Sequence, residues 1–381
     1  MIAPLSHDWL AYRAEFPTLA RTTYLNTCSL GPLSRRSRAA VNTFLDLWEQ
    51  YGASAWYQTW LGECAALRTN FERLVNAPTG SVSLAHSVSS ALSVVASCYP
   101  AGSRVITTAL DFPTVPYQWL VKQDVELVIL PSDDGIGVSL DRWAAAIDER
   151  TALVATSHVF FTSGYIQPIA ELAKLAHNVG AHLLVDGYQG AGQVPVDVQA
   201  TDVDFYLSGG LKWLLGGPGI VQMYVKPTLI NQLIPTTTGW FAHNAMFRFD
   251  PAAWEFADDA RRFELGTPAL AAVYAAKAGL DIILEIGPAA IRARQQALTA
   301  DLVGRARDAG FTLKLPNNLD DHAGIVMIRA DDPPAIVAGL AAQNIIVDHR
   351  PGHVRVSPFF YTTEDEHAQL ITAMQGLMGR A

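Results

Sequence analysis

Lys212 lies in the run Leu207-Ser-Gly-Gly-Leu-Lys-Trp-Leu-Leu-Gly-Gly-Pro-Gly219, 26 residues after Asp186, which ends the apolar stretch His182-Leu-Leu-Val-Asp. A lysine enclosed by glycines and apolar side chains loses the solvation of its ammonium form. Its pKa falls, and the neutral amine becomes a nucleophile able to condense with an aldehyde. An aspartate at the end of a buried strand suits a second task, keeping a proton on a heterocyclic nitrogen that must stay cationic to draw electrons. Each residue alone is commonplace, as a loop lysine or a turn-capping aspartate. Their pairing is not.

Together they fit pyridoxal 5'-phosphate, whose aldehyde takes the lysine and whose pyridine nitrogen takes the carboxylate. The phosphate of such a cofactor needs several donors. Ser87-Val-Ser-Ser90 falls between a strand-like and a helix-like run. Ser87, Ser89 and the N–H of Val88 are therefore the expected donors at a helix N-terminus. Phe112, held in an extended loop by Pro113, offers an aromatic plate to the ring. Gln189 brings an amide three residues beyond Asp186, suited to the ring oxygen. Thr267, in the tight segment Glu264-Leu-Gly-Thr-Pro268, offers a hydroxyl to the phosphate of a neighbouring subunit. Arg355 sits between Val354 and Val356 and points opposite to both if the segment is a strand. A guanidinium there suits the carboxylate of a substrate, with Arg350 as its rival.

These residues need a scaffold. The chain has 381 residues, half of them hydrophobic and 17% charged, so a large core is expected, spread over a large and a small domain. Residues 152–186 read as strand, helix and strand. Ala152 to Val159 is an apolar run, and Pro168 opens a helix whose Leu172, Leu175, Ala176 and Val179 share one face. Gly180 closes that helix before the strand from His182. Such a crossover implies parallel strands buried on both faces. Similar alternation at 81–108 and strands at 204–207 and 219–225 extend the sheet. After about residue 250 a long helix (288–309) precedes short strands at 312–315, 324–328, 344–347 and 353–357. The expected class is α/β: a three-layer α/β/α large domain with a mostly parallel sheet over 17–250, and a smaller α+β domain from 1–16 and 251–381.

Composition narrows the partners. A net charge of −9 argues against non-specific binding to nucleic acid or an anionic membrane. Cys28, Cys64 and Cys98 lie far apart with no CxxC pattern, which suits a reducing, cytoplasmic location; no metal site is expected. The first residues show no basic stretch followed by an apolar one, and no run of about 18 apolar residues occurs.

Asp186-Gly-Tyr-Gln-Gly-Ala-Gly-Gln-Val-Pro-Val-Asp197, Val203-Asp-Phe and Gly210-Leu-Lys-Trp resemble the cofactor signature of the class V aminotransferase family of fold-type I pyridoxal-phosphate enzymes. The resemblance runs along nearly the whole chain. It implies Lys212 as the covalent attachment point, Asp186 on the ring nitrogen, Gln189 on the ring oxygen, and a homodimer with shared active sites. Within the family, Asn26-Thr-Cys-Ser-Leu-Gly31, Phe112-Pro-Thr, Gly216-Gly-Pro-Gly219, Gly239-Trp-Phe-Ala-His243, Arg262-Phe-Glu-Leu-Gly-Thr-Pro268 and Arg350-Pro-Gly-His-Val-Arg355 are similar to the kynureninase branch. That likeness implies Phe112 on the ring, Trp240 and Thr267 on the phosphate across the dimer, and Arg355, with Asn26, at the substrate. Leu211 and Val115 depart from that branch, which carries a tyrosine and an aspartate there. Ser208 is the expected phosphate ligand in place of the tyrosine. Gln189 is instead similar to the cysteine desulfurase branch, yet no cysteine follows Cys98 to act as that branch's nucleophile. The expected activity is cleavage at the β-carbon of a small amino-acid substrate, with transamination as the alternative and a non-catalytic binding protein as the outlying one.

Overall fold

The structure is a computed structural model that describes residues 8–379, so the expected segment 1–16 is seen only from Asp8. Seven strands form the central sheet: β1 (Val82–Ala85), β2 (Arg104–Thr108), β3 (Glu126–Leu130), β4 (Thr151–Ser157), β5 (His182–Asp186), β6 (Phe205–Gly209) and β7 (Val221–Val225). Their order is β1-β7-β6-β5-β4-β2-β3. Only β7 runs against its neighbours; the other pairs are parallel. The crossover expected over 152–186 is present, as β4, the helix Ile169–His177 and β5.

Successive strand residues point to opposite faces, and both faces are covered. Leu183 and Val185 of β5 join one buried cluster with Leu67 of the helix Leu61–Val75 and Leu280 of the helix Leu270–Ile286. Leu184, between them, joins another with Leu92 and Val95 of the helix Val88–Ala96. The three-layer arrangement follows from that alternation. Each strand end therefore lies beside a buried helix layer, and the loops that leave the carboxyl ends of the parallel strands carry the chemistry.

The smaller sheet is antiparallel, in the order β10-β11-β9-β8, with β8 (Leu313–Lys314), β9 (Val326–Arg329), β10 (Asp348–Arg350) and β11 (His353–Val356). The strand expected at 344–347 leaves this sheet: Ile345–Ile346 pairs in parallel with Thr23–Tyr24. Pro351 and Gly352, the latter at φ +74°, turn β10 into β11. Glycine is the residue that adopts this left-handed conformation without cost.

The division expected at residue 250 separates the helix Leu270–Ile286 from the large domain. In the structure that helix shares the core of the central sheet through Val273, Leu280 and Ile283, whereas Leu302, Val326, Val354 and Leu370 form a separate core with Leu25. We place the boundary after that helix, at Gly287. Local hydrophobic pattern does not distinguish the two assignments, because the apolar face of a helix does not say which sheet it covers.

The crossing of Leu270–Ile286 over the Lys212 loop is exceptionally close. A Cβ on Gly216 would lie 2.3 Å from Cα of Ala276, and one on Gly279 would lie 2.4 Å from the Leu214 carbonyl oxygen. Both obstacles are backbone, so neither can yield without shifting the loop or the helix. We expect Gly279→Ala to cost about 1–3 kcal/mol, read as a lower denaturation midpoint at unchanged m-value. Gly304→Ala, in the helix Pro288–Asp308 with nothing within 4 Å of the added carbon, should be neutral or stabilising by up to about 1 kcal/mol.

Candidate active site

β5 ends at Asp186 and β6 ends three residues before Lys212, so both side chains reach one cavity of about 480 Å³ beyond the strand ends. The Lys212 loop is built from tight backbone contacts. The N–H groups of Gly216 and Gly217 donate to the Gly210 carbonyl at 2.7 and 3.0 Å, and the N–H of Gly31 donates to the Leu211 carbonyl at 2.8 Å. Gly31 has no space for a side chain, since its Cβ would meet the Lys212 carbonyl oxygen at 2.3 Å. Leu215 is buried and left-handed at φ +58°, a conformation costing a non-glycine residue about 1 kcal/mol or more, retained here by the packing around it. The consequence is a lysine set deep among packed backbone, half-buried and open only toward the cavity. Burial lowers its pKa to about 8, against the pull of Cys28 and Asp186, with Arg355 and Arg350 adding to the depression. Its Nζ lies 4.9 Å from the centre of the Tyr188 ring and 5.7 Å from that of Phe112.

Asp186 is shifted the other way. Burial raises its pKa to about 6, opposed by the Tyr188 amide and Lys212 and reinforced by Asp111. Oδ1 accepts from the Tyr188 N–H at 2.8 Å, while Oδ2 has no donor among the described residues. A buried carboxylate with an open oxygen is under-satisfied, and a protonated ring nitrogen supplies both the donor and the charge it lacks.

The helix Val88–Ala96 presents its N-terminus to the same cavity through Ser87, Val88 and Ser89. The Ser87 hydroxyl is the cap: it accepts from the Ser90 N–H at 3.1 Å. The Ser89 hydroxyl bonds Thr114. The amides of Val88 and Ser89 keep no partner within the described chain and are the donors an anion would meet. Gln189 is oriented by two bonds: its Oε1 accepts from the indole N–H of Trp213 at 2.7 Å, and its Nε2 donates to the Cys28 carbonyl at 2.9 Å. An amide nitrogen has two hydrogens, so one remains for a ligand.

Arg355 is 1% exposed and lines the cavity, as expected, but its guanidinium is already engaged. It donates to Asp348 Oδ2 at 2.5 Å, to Ser29 Oγ at 2.7 Å and to the Phe161 carbonyl at 3.2 Å, while its buried Nε has no acceptor. Arg350 reaches the same Asp348 oxygen at 2.9 Å and lies over the Phe161 ring at 5.6 Å. The two arginines share a wall and a counter-ion.

Four expected residues do not line this cavity. Asn26 bridges to Ser357 in the backbone, and its carbonyl closes the turn through Cys28 by accepting from the Ser29 and Leu30 N–H groups. Ser208 is buried within β6, in register with Gln222 of β7, so strand alternation turns it from the ligand position. Trp240 is 37% exposed and packs edge-on to Phe241 at 4.6 Å. Thr267 touches the rim only through its carbonyl, bonded to His86 Nε2 at 2.9 Å.

Other residues went unforeseen. Asp111, immediately before Phe112, is a buried carboxylate whose oxygens accept from Thr107, Thr108, Thr156 and the Ser157 N–H. It ties the ends of β2 and β4 beneath the Phe112 loop. Tyr188, Phe161, Cys28, Ser29 and His86 line the cavity. Asp348 had a legible signal: a two-residue Pro-Gly turn pairs 350 with 353, and hence 348 with 355. Among the described residues no group of three or more His, Cys, Asp or Glu side chains could hold a metal ion.

A buried amine of lowered pKa, an under-satisfied carboxylate and two open helix-end amides around one cavity fit the aldehyde, ring nitrogen and phosphate of pyridoxal phosphate. The chain's relatives agree. The family model described as Aminotransferase class-V matches residues 56–370. The uncharacterized aminotransferase YcbU of Bacillus subtilis (strain 168) is 34% identical over 93% of this chain and 94% of its own length. The kynureninase of Bacillus anthracis is 29% identical over 98% and 92%. Among solved structures, a variant of C-DES with glycine covalently linked to its PLP cofactor superposes with a TM-score of 0.88 at 22% identity, covering 95% of this chain and 98% of that one. It shows the same fold. The chain is a pyridoxal-phosphate-dependent enzyme and belongs to the class V aminotransferase family.

Proposed function

We propose that this enzyme acts on a small α-amino acid and cleaves a bond at its β-carbon. The observation that carries the amino-acid reading is that Lys212 and Arg355 line one cavity, a proton carrier and a carboxylate anchor facing a common space. Bound, the cofactor supplies an electron sink for the substrate's Cα. The remaining work falls to the chain. The Val88 and Ser89 amides hold the phosphate, Phe112 faces the ring, and Asp186 keeps the ring nitrogen protonated. Gln189 gives its free hydrogen to the ring oxygen. Arg355 orients the substrate through its carboxylate, and the Lys212 amine takes the proton from Cα and can return it.

Cleavage at the β-carbon is supported by the likeness to kynureninase over 98% of the chain. Transamination has its own support, since the chain is 34% identical to a protein named as an aminotransferase and the two reactions diverge only after the Cα proton has left. A panel of amino acids separates them: a β-cleavage product supports the first, and conversion of the cofactor to its amine form without such a product supports the second. We further propose a cytoplasmic homodimer. Trp240 and Thr267 lie outside their own cavity, where residues serving a neighbour's phosphate would be placed. Leu45, Trp48 and Tyr57 are exposed apolar groups suited to a partner's surface.

Two outcomes test the site. Cofactor binding depends on the neutral fraction of Lys212, which rises with pH toward its pKa of about 8. The rate at which apoprotein develops visible absorbance on adding pyridoxal phosphate should therefore climb from pH 7, pass its midpoint at pH about 8 and level off about one unit above that; Lys212→Ala should develop no such band. Arg355→Lys keeps the charge but loses the fork, and should lower kcat/KM by about tenfold or more with cofactor absorbance unchanged. Arg350→Lys should lose less; an equal loss would place the carboxylate elsewhere.

A further inference from the structure

One wall of the cavity carries an uneven count of charges. Arg355 and Arg350 both line it, and among the described residues Asp348 is the one carboxylate that pairs with them. Asp348 is built in. It stands directly across the β10–β11 hairpin from Arg355, and its Oδ1 accepts from the His349 N–H at 2.7 Å. Its Oδ2 accepts from Ser29 Oγ at 2.8 Å and from both arginines. Burial alone would raise its pKa; the Ser29 hydroxyl, Arg355, the His349 amide and Arg350 together lower it to about 2, so it stays ionised in any working buffer. One cation of the pair is thus neutralised by the protein. One positive charge is left on this wall.

We infer that Asp348 sets the substrate class: with one net positive charge on this wall, the enzyme takes monocarboxylic amino acids with uncharged side chains and discriminates against dicarboxylic ones. This rests on the reading of Arg355 as the carboxylate anchor. The α-carboxylate of a monocarboxylic substrate brings the wall to neutrality. A second carboxylate meets Asp348 with no cation left to offset it, and such like-charge juxtaposition in a dry site is strongly unfavourable. Asp348 acts through the arginines and on the charge balance, so it is a specificity-determining residue and not a catalytic one.

The experiment uses isosteric pairs on the holoenzyme, asparagine against aspartate and glutamine against glutamate, with binding read from the change each causes in the cofactor's absorbance. Wild type should bind the amide of each pair about tenfold or more tighter than the acid. Asp348→Asn raises the wall by one charge and should bring the acids to within about threefold of the amides or ahead of them, whereas Asp348→Glu should keep the original order. Equal binding of acid and amide by wild type overturns the inference, as does a folded Asp348→Asn that keeps the preference. Should Asp348→Asn not fold, Arg350→Gln reads the same count: it makes the wall neutral and should weaken asparagine about tenfold, and unchanged asparagine binding overturns the inference. An Arg355→Lys variant that binds asparagine as wild type does defeats the underlying reading instead. Calorimetry with propionate and succinate then still reads the wall, propionate being expected to bind tighter and the reverse order overturning the inference.

Discussion

Enclosure of Lys212 is the constraint on which the rest depends. The amine is useful only if water is kept from its ammonium form, and the loop that carries it has too few side chains of its own to do this. Three glycines remove the side chains that would hold other backbone away. Gly31 lets the N-terminal segment lie against the Lys212 carbonyl, and Gly216 and Gly279 let the loop and the helix Leu270–Ile286 approach to backbone contact. Leu215 accepts a left-handed conformation as part of the same closure. The helix thereby shares the core of the central sheet and backs the loop that carries Lys212.

Charges in the cavity are arranged so that none is left alone and none is fully satisfied. Asp186 and Lys212 moderate one another across the cofactor end, and Asp348 holds the two arginines at the substrate end. Oδ2 of Asp186 accepts no hydrogen bond among the described residues, and the Nε of Arg355, also without an acceptor among them, is shielded from the cavity. A buried ion pair with unused hydrogen-bonding capacity is costly to the free protein and is relieved by a ligand that brings the missing partner. Asp111 shows the contrasting case. Its oxygens are saturated by Thr107, Thr108, Thr156 and Ser157, so it offers nothing to a ligand and serves to lock the loop bearing Phe112.

Much of this was legible in one dimension because it depends on local pattern. Apolar runs of strand length separated by helical periodicity specify parallel strands covered on both faces, and residues at strand ends and in the turns that follow then fall together. Asp186, Lys212, Ser87, Val88, Ser89, Phe112 and Gln189 all belong to such turns, and all line the cavity. Ser208, expected at the phosphate, lies inside the last strand before the loop and does not line the cavity, since alternation and not proximity to Lys212 decides its direction.

What the tertiary structure decided is what depends on residues distant in the chain. No periodicity announces that the helix Leu270–Ile286 covers the Lys212 loop, that Asn26 shapes a turn while Cys28 and Ser29 reach the cavity, or that Trp240 and Thr267 stand outside it. The chain by itself determined the class of fold and the cofactor, because burial pattern and side-chain chemistry are local properties. The lowered pKa of Lys212 and the counter-ion of Arg355 were decided by the folded protein, because desolvation and ion pairing are set by whatever packs against a group from elsewhere in the sequence.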